Sequence, residues 1–223
     1  MNGKLFVQAI AKFLLGIILV GALIFLPAGS LSFAGGWLLM GLLFIPMFLA
    51  GLVMMAKNPA LLQARLHAKE TQKDQDLVIK LSGLMFILGF IVAGLDFRFS
   101  WCPLPKGVTI GATVAFLLAY GMYAEVLREN TYLSRTIQVQ ENQKVVDTGL
   151  YGIVRHPMYS ATVLLFLAMP LVLGSLYAFV IFLAYPLIIA KRIKGEEAFL
   201  EKELDGYGDY RKKVKYRLIP FIW

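Results

Sequence analysis

Residues 36–56 read GWLLMGLLFIPMFLAGLVMMA, an apolar run with no ionisable side chain. At roughly 1.5 Å of rise per helical residue, such a run crosses the ~30 Å hydrocarbon layer of a bilayer. A surface helix of a water-soluble domain would carry a polar face, and this run has none. Comparable apolar segments lie on either side of it, at about Leu5–Leu26, Leu77–Leu95, Val108–Val126, Met158–Val172 and Leu176–Ile193. The last two are shorter and flank Leu173-Gly174-Ser175, with Pro170 just before. They are expected to form a tight helical hairpin with Gly174-Ser175 near its tip. The composition agrees. Of the 223 residues, 59% are hydrophobic and only 16% charged, against about 25% charged in soluble domains. An ordinary soluble globule is excluded, and so is a disordered chain. The expected fold is an all-α, polytopic transmembrane bundle of about six spans.

Charge sets the expected topology. Six spans put the N-terminus, residues 57–76, residues 128–157 and the C-terminus on one side. Only Arg98 and Lys106 fall on the other side, and the remaining 20 of the 22 Lys and Arg lie on or near the first. The positive-inside bias then predicts both termini in the cytoplasm. The net charge of +8 would raise nucleic acid as a partner in a soluble protein. Here the basic residues cluster between apolar runs, so anionic headgroups of the lipid bilayer are the expected partner and no nucleic acid is. The single cysteine, Cys102, permits neither an intrachain disulfide nor a cysteine-based metal cluster, and no metal is expected. The first apolar stretch is too long for a signal peptide and is read as a span.

Residues 1–56 are expected to form an N-terminal transmembrane hairpin, and 57–76 an interfacial amphipathic helix and linker. Asn58-Pro59 is a helix start signal, a cap residue followed by proline at the first helical position. Leu61, Leu62 and Leu66 are placed to dip into the headgroup region. His67, in the same segment, is read as a solvated or interfacial histidine.

The chemistry-bearing residues lie in Asn130–Tyr159 (NTYLSRTIQVQENQKVVDTGLYGIVRHPMY) and Lys191–Trp223. A polar connector this long between two spans is more often functional than a plain loop. Pro157 favours an extended backbone at His156 and can start the next helix. That puts Arg155, His156 and Tyr159 where a span begins, either as an ordinary snorkelling and aromatic belt or as part of a site. Arg192 and Glu196 stand four apart and share a helix face, as an interfacial ion pair or as two halves of a binding site.

These residues carry a resemblance. Tyr151-Gly-Ile-Val-Arg-His-Pro-Met-Tyr159, a hairpin, Glu196-Glu197-x-x-Leu200, Gly206-Tyr207-x-x-Tyr210, Val214 and Arg217-Leu-Ile-Pro220 together resemble the isoprenylcysteine carboxyl methyltransferase family, which groups with phospholipid N-methyltransferases. The resemblance covers about residues 130–223. It implies a membrane-embedded methyltransferase using S-adenosylmethionine, with S-adenosylhomocysteine as product. The core would span 77–223: two spans, a cofactor loop over 129–157, the helical hairpin 158–193 and a basic cytoplasmic tail over 194–223. Carried over by position, the cofactor contacts are Gln138, Gln143, Lys144, Val145, Val146, Tyr151, His156, Pro157, Met158, Tyr159 and Glu196. Arg192 matches the arginine that meets the substrate. Gln143 stands where some relatives have histidine. The implied location is a bacterial or archaeal inner membrane.

Such a pocket suits the cofactor chemically. Aromatic faces attract a sulfonium, a carboxylate accepts from ribose hydroxyls or an ammonium, and a carboxylate acceptor, ionised at neutral pH, needs no general base. The expected acceptor is lipid-like or prenylated, with a carboxylate favoured. An amine headgroup of a phospholipid or a small thiol is the alternative, and His156 would then be the nearest base. A non-enzymatic scaffold or transporter is the rival of another class. The span interiors are nearly free of ionisable groups, whereas transporters often place polar groups at the midplane.

Overall fold

The apolar runs fold as helices in the computed structural model, which describes residues 3–66, 73–133 and 139–223. The order is α1 (Gly3–Ala28), α2 (Ala34–Lys57), α3 (Pro59–Leu66), α4 (Lys73–Phe99), α5 (Lys106–Glu129), a 3-10 turn at Gly149–Gly152, α6 (Pro157–Val172), α7 (Leu176–Phe182), α8 (Ala184–Glu203) and α9 (Tyr207–Lys213). No strand occurs among the described residues. Five stretches are long and apolar enough to cross a membrane: Gly3–Ala28, Ala34–Lys57, Asp76–Phe99, Lys106–Glu129 and Leu176–Glu203. The remaining expected span, the fifth in chain order, is α6, which has 16 residues, or about 24 Å. Leu15, Ile18, Ile45, Ile110, Leu118 and Leu187 are each more than 60% exposed. In water such a surface would aggregate, whereas in hydrocarbon it is the compatible one.

The hairpin is where the spacing predicts it. Gly174 adopts φ +77°, a left-handed conformation that a side chain would strain. Ser175 then caps α7 by accepting from the Ala178 N–H at 3.1 Å. The same hydroxyl donates to Asp96 Oδ2 at 2.6 Å, and Asp96 Oδ1 accepts from the Cys102 N–H at 3.0 Å. Asp96, buried near the end of α4, thus ties the hairpin tip to the α4–α5 turn. The returning helix bends at Leu183, which joins α7 to α8. Pro186 is the reason: it has no N–H for the Phe182 carbonyl, and its ring crowds that turn.

The interfacial segment begins where its start signal predicts. Asn58 caps α3, its Oδ1 accepting from the Leu61 N–H at 3.0 Å. Helix α3 is described over Pro59–Leu66, and residues 73–76 belong to α4. Leu61 and Leu62 are buried against protein, and Arg65 reaches Tyr123 of α5. His67 lies outside the described residues.

Small residues let the spans approach. A Cβ built on Gly94 of α4 would stand 2.6 Å from the Ile24 carbonyl oxygen and 3.0 Å from the Ala28 nitrogen of α1. Backbone cannot step aside as a side-chain tip can, and membrane helix interfaces use glycine for this purpose. Gly94→Ala is therefore expected to destabilise the protein by about 1–3 kcal/mol, read as a lowered unfolding midpoint in nanodiscs. Gly121→Ala, where the added methyl meets open space, should leave the midpoint unchanged.

Candidate active site

The connector and the tail meet in space. The Arg155 N–H donates to the Tyr216 carbonyl and the His156 N–H to the Arg217 carbonyl, each at 2.9 Å. Ser160, in the first turn of α6, donates to the Leu218 carbonyl at 2.6 Å. The connector is also anchored to α5. The Leu150 N–H reaches Glu129 Oε2 at 3.1 Å, and Asn130 Nδ2 donates to the Tyr151 hydroxyl at 3.0 Å. Gly149 takes φ +49° there, and a Cβ would overlap the Glu129 carboxylate.

Between these segments opens a cleft of ≈ 790 Å³, solvent at its mouth included. On the connector side it is lined by Asn130, Tyr132, Gln143–Val146 and Tyr151, with His156, Met158 and Tyr159 at the head of α6. On the tail side Glu196, Leu200 and Leu204 face Tyr207 and Tyr210. Burial first, then the nearby Glu196 and Glu129 charges, push the Tyr151 phenol up to about 12 although Asn130 pulls the other way. It is therefore neutral at physiological pH. The His156 and Tyr159 rings stack, with centroids 5.7 Å apart, and the Tyr210 hydroxyl closes the wall by donating to the Tyr151 carbonyl at 2.8 Å.

Two buried polar networks support the cleft. In the first, the Tyr159 hydroxyl donates to Glu196 Oε2 at 2.6 Å and accepts from Arg192 Nε at 2.8 Å. Arg192 and Glu196 thus share a face as their spacing predicts, linked through Tyr159. In the second, Glu197 accepts from Arg155 Nε at 2.7 Å and from Arg217 Nε at 2.8 Å, with His156 Nε2 at 3.3 Å. Arg155 also donates to the Val214 and Lys215 carbonyls, both at 2.7 Å.

Of the residues singled out in the sequence, Gln143, Lys144, Val145, Val146, Tyr151, His156, Met158, Tyr159 and Glu196 come together around one cleft. Three do not line it as described. Pro157 is fully buried at the first position of α6. Arg192 reaches the cleft through Tyr159. Gln138 lies outside the described residues. Gln143 also spends its side-chain oxygen on its own turn, accepting from the Gln140 N–H at 2.9 Å. Sequence reasoning passed over Tyr207, Tyr210, Glu197 and Arg217 as site residues. The i, i+3 spacing of Tyr207 and Tyr210 was the available signal for the first two.

The donor set can hold an aromatic, polyhydroxylated cation. Glu196 is an acceptor for hydroxyls or ammonium, the rings offer stacking faces, and Val145 and Val146 border the space. No cluster of metal-ligating side chains occurs among the described residues.

Comparison with known proteins finds similarities to membrane enzymes. A family model described as phospholipid methyltransferase matches residues 108–206, from α5 through α8 to the start of the tail turn. That family is the superfamily shared with the isoprenylcysteine carboxyl methyltransferases. The Delta(14)-sterol reductase TM7SF2 of Mus musculus is 25% identical over 165 residues, covering 63% of this chain and 39% of the relative. The matched stretch therefore covers about two fifths of the length of this curated relative.

Proposed function

We propose that the protein is an integral membrane methyltransferase that uses S-adenosylmethionine and methylates a lipid-like acceptor, with a carboxylate favoured. The observation that supports this most is the cleft. Two stretches far apart in sequence close around a space lined at once by Glu196, aromatic rings and the apolar Val145 and Val146, which fits the ribose hydroxyls, sulfonium and adenine of that cofactor. When bound, the cofactor supplies a methyl carbon already activated by its sulfonium. The chain's own residues bind and orient. Glu196, held by Tyr159, accepts from hydroxyl or ammonium groups. Tyr151 and Tyr159 present ring faces to the positive charge. Arg192, one hydrogen bond behind Tyr159, holds the acceptor carboxylate. Rate enhancement then comes from proximity in a site shielded from water. The positive-inside bias places the cleft, both termini and the basic tail at the cytoplasmic surface, where an acyl or prenyl chain enters from the bilayer.

A phospholipid amine acceptor is the second reading, favoured by the phospholipid methyltransferase match and by His156 lying beside Glu197. With Nε2–H donating to that carboxylate, Nδ1 keeps the lone pair that a base needs. A reductase using a dinucleotide, suggested by the relative's name, fits less well. Among the described residues the cations lining the cleft are Lys144 and Arg155, Arg155 is bound to Glu197, and Glu196 would repel a pyrophosphate.

The test is calorimetry of purified protein in nanodiscs with S-adenosylhomocysteine and with NADPH, followed by labelled methyl transfer to prenylcysteine analogues, phosphatidylethanolamine and a lipid extract. Binding of the first ligand with transfer to the prenylcysteine carboxylate is the expected result. Transfer to phosphatidylethanolamine instead would establish the second reading. Binding of NADPH alone would favour a reductase, and binding of neither ligand would favour a scaffold.

A further inference from the structure

Tyr207 has an O–H group for which no acceptor stands among the described residues. Gly206, at φ +82°, turns the chain so that Tyr207, the first residue of α9, points inward and is 4% exposed. Its ring packs with Leu204, Tyr210 and Val214, against Val145 and Leu200. That packing accounts for the ring and not for the oxygen, which is buried without a hydrogen-bond partner among the described residues. The residue lines the cleft. Neighbouring Tyr210 shows the contrast, since its hydroxyl is satisfied by the Tyr151 carbonyl. An unpartnered buried hydroxyl destabilises a fold, and phenylalanine would fill the same space without that cost. Burial first, then the charges of Glu197 and Glu196, push the phenol up, so it remains a neutral donor at physiological pH.

We propose that Tyr207 is a specificity-determining contact of the cleft, its O–H donating to an acceptor atom of the bound S-adenosyl ligand, a carboxylate oxygen or ring nitrogen. This rests on the cofactor reading above and extends it. Glu196 supplies an acceptor for the ligand's hydroxyl or ammonium groups, and Tyr207, also on the tail side, supplies the complementary donor.

The test is Tyr207→Phe in nanodiscs, read by calorimetry with S-adenosylhomocysteine and by thermal unfolding without ligand. The ligand-free midpoint is expected to stay the same or rise, while affinity falls about ten- to a hundredfold. Unchanged affinity beside a parent that binds would overturn the inference and leave the cofactor reading standing. A lowered ligand-free midpoint would also overturn it, because the oxygen would then have a partner within the fold. A parent that binds no S-adenosylhomocysteine would remove the cofactor reading, and this contact with it.

Discussion

Glu197→Ala is expected to lower the unfolding free energy by about 3–5 kcal/mol and to open the cleft. The Glu197 and Arg155 side chains are 4% and 5% exposed, and both carboxylate oxygens are occupied, Oε1 by Arg155 and Oε2 by Arg217. Alanine would leave two guanidinium groups facing each other beside His156, with no counter-charge and little water to replace it. The loss would extend past one contact. Arg155 also holds the Val214 and Lys215 carbonyls, and its backbone pairs with Tyr216, so the connector and tail would separate together. Glu197→Gln keeps the shape but turns an NH2 toward groups that only donate, and it too should be strongly destabilising. The control is Glu201→Ala, which removes a pair with Arg211 that is 48% and 42% exposed and is worth about 0–1 kcal/mol. Denaturant unfolding in nanodiscs measures the contrast. Equal effects of the two alanine variants would show that the network does not hold the tail in place.

Arg192→Ala and Glu196→Ala are expected to separate the two halves of the reaction. Removing Arg192 leaves the Tyr159–Glu196 hydrogen bond in place. S-adenosylhomocysteine affinity should therefore stay within about threefold, while transfer falls ten- to a hundredfold or more, the range for one hydrogen bond to a charged group. Removing Glu196 takes away the carboxylate on the cleft wall and leaves Arg192 its contact with Tyr159. Cofactor affinity should fall about tenfold or more, with transfer recovering partly at saturating cofactor. Calorimetry and labelled transfer on the same preparations read both. Parallel losses in the two variants would mean that Arg192, Tyr159 and Glu196 act as one unit and that the division of roles is wrong.

Much of the architecture was legible because each span satisfies its own backbone and exposes an apolar surface, both of which are properties of a contiguous run. The hairpin tip at Gly174-Ser175 and the Asn58 cap could be read for the same reason, since their chemistry is local. The partner of α3 on α5 could not. Arg65 meets Tyr123, a residue 58 positions away.

The sequence by itself determined the helical membrane bundle, its turn positions and the stretches that carry polar chemistry, because hydrophobic length and turn residues act within a few residues of one another. Only the tertiary structure decided what those polar residues do. Glu196 and Glu197 are adjacent and chemically identical, yet a helix turns about 100° per residue. One carboxylate therefore faces the cleft, while the other is enclosed by Arg155 and Arg217. Tyr207 and Tyr210 differ in the same way, one hydroxyl buried without a partner among the described residues and the other satisfied by the Tyr151 carbonyl. Such assignments depend on which partner the fold brings within 3 Å, and local pattern carries no record of that distance.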